Sequence, residues 1–184
     1  MEELPAGGPA IDFLTSPLLK RPAGHDADVM ITDAETEALI RLARDRRAQT
    51  IAIGSGRTPR ALESARLIEA VWERTGGTIL TMITWPEIGA SWLRHASRFA
   101  DADPDLWVMT GAATGWAQMT RRLLWSTPWR PERTLATAAI GDPRTLALVG
   151  LINLNGLAGT TAHGTTWRVE DDTFHYPART QEGP

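Results

Sequence analysis

The chain contains no cysteine. That removes disulfide staples, thiolate metal sites and cysteine nucleophiles, while fitting either side of a membrane. Histidine is scarce. His25, His95, His163 and His175 are scattered, and none has the i,i+4 spacing with a glutamate that marks a zinc-peptidase helix. No Gly-X-Ser-X-Gly elbow occurs, so a serine-hydrolase triad has no anchor. No apolar run is long enough to span a bilayer, and the start, MEELPAGGPAIDFL, has acids where a secretory leader has basic residues. The expectation is a cytoplasmic protein without membrane insertion. Neither sign of charge dominates: the formal net charge is −3 and the pI is near 5.8, so no electrostatic drive toward nucleic acid is expected. Nothing in the composition implies a cofactor or a metal.

What is present is a core and a repeated pattern. A chain of 184 residues, 42% hydrophobic and 22% charged, fits one globular domain. Four apolar runs, at residues 50–54, 78–85, 105–110 and 134–141, are each followed by glycine, proline or a hydroxyl residue and then by helical patterning. Short, doubly apolar runs alternating with helices indicate strand–helix units around a parallel sheet. The fold class expected is α/β: a three-layer, open, mostly parallel sheet with helices on both faces, forming a single Rossmann-like lobe. Residues 1–30 read as an irregular arm, 31–177 as the α/β domain and 178–184 as a disordered tail.

Local signals place the elements. A capping-box pattern at Thr32 and Glu35 starts a helix to about Arg47, and Pro59 sits at a favoured first-turn position of a helix to about Arg74, stopped by Gly76 and Gly77. Helices are expected over 88–99, 116–125 and 144–151. The passage around Gly156, Gly159 and Gly164 reads as loop, leading into a strand at 166–169 that pairs with 173–176.

In open α/β sheets, ligands bind outside the carboxyl ends of the strands. The segments 55–57, 85–86, 110–112 and 142–143 should therefore share one rim. Residues 54–59, GlySerGlyArgThrPro, offer backbone N–H groups and a helix amino end that can hold an anion with help from Arg57, or simply form a tight turn. Of the eight tryptophans beside one tyrosine and three phenylalanines, Trp85 and Trp116 fall at or just past strand ends. They are candidate pocket walls. Asp142 is placed to receive an ammonium or act as a base, or to cap the helix after Pro143. His163 can approach Asp171 and Asp172, although those acids also suit a hairpin turn. Arg121 and Arg122, with Arg130 and Arg133 nearby, form a basic spot or a solvated helix face.

Three stretches carry a family likeness. They are residues 32–53, residues 102–111 (ADPDLWVMTG) and residues 138–143 (AAIGDP) with 154–160 (LNGLAGT). From about Ile31 to Trp167 the chain resembles the second lobe of the type 1 periplasmic binding proteins, the amino-acid-binding receptors of transport systems. The resemblance implies a ligand at the strand-end rim, touching Ser55, Arg57, Thr58, Trp85, Thr110, Gly111 and Asp142. Family members close two lobes around the ligand, and residues 1–30 are too few to make a second one.

Two functional readings follow. In the first, the chain is a binding module for a small polar or amino-acid-like molecule, with Arg57 for its carboxylate and Asp142 for its amine. A homodimer then covers rim tryptophans that would otherwise meet water. In the second, the same lobe is a small enzyme of specialised metabolism, with an aromatic pocket and Asp142, His163 or Arg57 as acid–base or electrostatic groups.

Overall fold

The computed structural model describes residues 29–89 and 91–176. The expected tail, 178–184, and all of the expected arm except residues 29 and 30 fall outside the described residues.

The first helix, α1 (Asp33–Asp45), begins where a hydroxyl meets an orphan amide: Thr32 accepts a hydrogen bond from the Glu35 N–H at 3.1 Å. Strand β1 (Thr50–Gly56) follows, then α2 (Pro59–Arg74), capped by Thr58 through the Ala61 N–H. Gly76, at φ +83°, takes the left-handed turn that leads into β2 (Thr78–Trp85). Next come α3 (Leu93–Ala100), β3 (Leu106–Thr110), α4 (Ala113–Ser126), β4 (Thr134–Ala136) and α5 (Pro143–Ala147). Strands β5 (Ala158–Thr160), β6 (Thr166–Glu170) and β7 (Thr173–His175) complete the chain order.

These strands form one seven-stranded sheet in the order β2-β1-β3-β4-β5-β6-β7. The first five are parallel, and β6 and β7 add antiparallel. Helices α1 and α2 bury Leu39, Ile40, Ala65, Ile68 and Trp72 on one face. On the other, α3, α4 and α5 bury Phe99, Trp116, Met119, Leu123 and Leu146. This is the three-layer lobe the strand–helix alternation predicts.

At the bottom of the sheet, the Asp105 carboxylate ties β1 to the β3 approach. It accepts from the Gln49 and Thr50 N–H groups, each at 2.8 Å, and from the Thr50 hydroxyl at 3.0 Å. Edge strand β2 has one extra residue, Leu80, against β1, and a bulge of this kind discourages edge-to-edge pairing.

Several boundaries differ from expectation. Helix α3 starts at Leu93 and not at 88: Pro86 and Gly89 interrupt the run, and the Trp92 indole donates to the Pro86 carbonyl at 3.0 Å. Strand β4 stops at Ala136, because the chain turns over 138–140 with the Ile140 and Gly141 N–H groups both on the Thr137 carbonyl. The passage expected as loop contains β5. Gly159 is a strand residue there because Trp167 and the Ala136 carbonyl occupy the space a Cβ would need.

Candidate functional site

Strand order decides where a ligand crevice can open. Successive strands step to opposite sides of β1, so the loops after β1 and β3 diverge at a topological switch point. The first loop carries Gly56, Arg57 and Thr58, and the second Gly111 and Ala112.

These loops touch. Gly111 adopts φ +137°, a region effectively reserved for glycine, and a Cβ built on it would lie 2.8 Å from the Gly56 nitrogen. A carboxylate fills the adjoining space. A Cβ on Gly56 would overlap the Glu87 carboxylate, and a Cβ on Gly115, in the first turn of α4, would overlap it from the other side while lying 3.1 Å from the Glu87 Cα. Gly111 thus lets the two loops approach, and two glycines, Gly56 of β1 and Gly115 of α4, make the room in which Glu87 sits. Both of its carboxylate oxygens are buried, next to a helix amino end whose dipole favours negative charge.

The β2 side of the rim is cationic. Arg57 is exposed, its Nε 3.4 Å from the Thr84 hydroxyl. His95 on α3 has its pKa lowered, first by desolvation and then by the positive charges of Arg57, Arg94 and Arg98. The buried Glu87 carboxylate thus abuts Gly56, the residue before exposed Arg57.

Several rim residues occupy the expected places but have packing roles. Ser55 and Thr110 are buried and pair across β1 and β3. The Thr137 hydroxyl donates to Thr110 Oγ1 at 3.0 Å. Thr58 caps α2. Asp142 lies beyond the shortened β4 and caps α5, accepting from the Arg144 N–H at 2.7 Å and the Thr145 N–H at 3.4 Å. His163 is exposed in the turn between β5 and β6. Asp171 and Asp172, at φ +46° and +62°, form the two-residue turn between β6 and β7.

The tryptophans correct an expectation. Trp85 and Trp116 are fully buried at 0% exposure, Trp85 edge-on to Phe99 with ring centroids 6.5 Å apart. They are core, not pocket walls. Exposed rim indoles therefore give no reason for a second copy, and the aromatic pocket needed by an enzyme reading is filled from within. Their Nε1 groups make no hydrogen bond among the described residues.

Two carboxylates escaped sequence reasoning. Glu87 was visible only as the residue after TrpPro at a strand end, and nothing local announces the glycines that enclose it. Glu35 was read as a capping residue, yet it is buried and also accepts from the Ala138 N–H at 2.5 Å, tying α1 to the β4 loop. Burial raises its pKa, and the Ala138 and Thr32 N–H groups partly offset that.

No protein-family model matches the chain, and no curated protein does. Solved structures do match. A substrate-binding periplasmic protein from Ralstonia solanacearum is 15% identical with a TM-score of 0.59, over 71% of this chain and 36% of that one. A putative branched-chain amino acid ABC transporter from Rhodospirillum rubrum is 18% identical at TM-score 0.57, over 70% and 37%. A leucine-binding protein from Thermotoga maritima is 14% identical at TM-score 0.56, over 70% and 35%. At such identities the likeness is one of fold, and it is the partial-lobe fold of periplasmic binding proteins that the sequence resembles. The chain spans about a third of the length of these structures.

Proposed function

We propose that this chain is a ligand-binding lobe that receives a small zwitterion of the amino-acid type at the carboxyl-end rim of its sheet. In this reading Arg57 takes the carboxylate, and the buried Glu87 carboxylate attracts the ammonium through its charge from behind Gly56, without a direct contact. The observation that carries it is the Glu87 carboxylate held between Gly56 and Gly115 at the switch point, where exposed Arg57 follows Gly56. Opposite charges at one crevice suit a molecule with both signs better than an amine or an acid alone. The matched structures include proteins described as leucine-binding and as a branched-chain amino acid transporter, which agrees with this class. The amine role moves from Asp142 to Glu87 because the Asp142 carboxylate caps α5.

A single rim covers one side of a ligand, whereas tight small-molecule sites enclose most of it. Affinity of the isolated chain is therefore expected in the millimolar range, about −4 kcal/mol. A second copy facing the first across the rim would complete the enclosure, and sedimentation with and without ligand tests that part.

The test of the reading is calorimetric titration with L-leucine, isopentylamine and 4-methylpentanoate, the last two lacking one charged group each. Leucine should bind at least about tenfold more tightly than either, the worth of one charge-assisted hydrogen bond. Equal binding of all three, or none, overturns it.

A further inference from the structure

Away from the rim, the outer face of α4 presents Gln118, Arg121, Arg122 and Trp125, spaced i, i+3, i+4 and i+7 and therefore on one stripe. Ser91 and Trp92, just before α3, wall the other side of a cleft of about 410 Å³. That volume lies within the usual range of small-molecule sites, roughly 300–1,000 Å³.

Its chemistry is uneven in a telling way. Trp125 is 81% exposed, while most of the other indoles are buried. Solvation gives no reason to present an indole on a helix face. Neither Arg121 nor Arg122 forms an ion pair among the described residues, whereas Arg130, Arg133 and Arg168 each do. Arg121 donates to the Leu148 carbonyl and Arg122 lies 3.5 Å from the Ser126 hydroxyl, so most of their ten N–H donors are uncommitted. Among the described residues, the cleft lining contains no carboxylate.

We infer that this cleft is a second binding site, for a planar aromatic carboxylate. The ring stacks on the Trp125 indole beside Trp92, and the carboxylate takes paired N–H groups from Arg122, with Arg121 and Gln118 in reach. A solvated basic face would use the arginines but leave the indole without a role. An apolar ligand would use the indole but not the cations. None of the cleft's lining residues belongs to the rim ligand site proposed above, and neither proposal depends on the other.

Saturation-transfer NMR with 2-naphthoate tests it on the full chain, compared with neutral 2-naphthalenemethanol and with acetate. Saturable binding of 2-naphthoate is expected, with both comparators at least about tenfold weaker. Trp125→Ala and Arg122→Gln alter exposed side chains, so both variants should keep the parent melting temperature and each lose about tenfold in affinity. Arg168→Gln, an exposed arginine at the far end of the sheet, should leave binding unchanged. Three results overturn the inference: equal binding of the neutral alcohol, full retention in Trp125→Ala, or protection of Trp125 from acrylamide by self-association without naphthoate. The last would make this face an interface between copies.

Discussion

The closeness of the two rim loops makes Gly111→Ala a demanding substitution. Two costs add. At φ +137° a residue with a Cβ is strained by about 1–3 kcal/mol. The new methyl would also lie 2.8 Å from the Gly56 nitrogen and 3.2 Å from its Cα. Those are backbone atoms that cannot rotate away, and overpacking of this kind costs about 1–3 kcal/mol more. The sum is about 2–6 kcal/mol, a fall of roughly 5–15 °C in Tm for a chain of this size. Gly76→Ala separates the two parts. Gly76 also has positive φ, +83°, but nothing lies within 4 Å of its would-be Cβ, so it should cost only the conformational part, about 1 kcal/mol. Urea unfolding of both variants reads the difference, which should exceed about 1 kcal/mol with unchanged m. If Gly111→Ala is no more harmful than Gly76→Ala, the β1 and β3 loops do not meet as described.

Two acids give opposite pH signatures. Asp105 has a depressed pKa, first because the Gln49 and Thr50 N–H groups bind its charged form. Asp105→Ala should therefore cost about 1–2 kcal/mol near neutral pH, and the gap to the parent should close as pH falls below the ordinary aspartate value and through the depressed one. An acid titration of stability that shows a constant gap would contradict this. Glu35 is the reverse: burial raises its folded pKa, so its unfolded form loses the proton first and stability falls as pH rises from the ordinary glutamate value to the raised one. Glu35→Gln keeps acceptors for the Ala138 and Thr32 N–H groups and should gain on the parent across that window. Glu35→Ala should lose about 2 kcal/mol by orphaning the Ala138 N–H, and equal unfolding midpoints for the two variants would count against the tie between α1 and the β4 loop.

The fold was legible because its signals are local and agree with one another. Thr32 before Glu35, Thr58 before Pro59 and Gly76 after the α2 helix each do what their side chains require, and the doubly buried strands advertise themselves by composition. Where legibility failed, a distant partner decided. Gly159 looks like a loop residue until Trp167 is known to pack on it, and β4 ends early because the Thr137 carbonyl closes a turn. Trp85 and Trp116 were read from their positions at strand ends, but burying a large ring outweighs proximity to a rim. The proposed location of the site rests on topology, which the sequence carries well. Its chemistry does not, because Glu87 acquires its surroundings from glycines at positions 56 and 115, far apart in sequence.

The central claim is that ligand meets the glycine cradle, and amide chemical shifts report that directly. In ¹⁵N-labelled protein titrated with L-leucine, the Gly56, Arg57, Gly111 and Gly115 amides should shift together and saturably, and Glu87→Gln should abolish the shifts while the rest of the spectrum is preserved. Shifts confined to other regions, or undiminished in Glu87→Gln, would contradict a ligand site at the β1/β3 switch point.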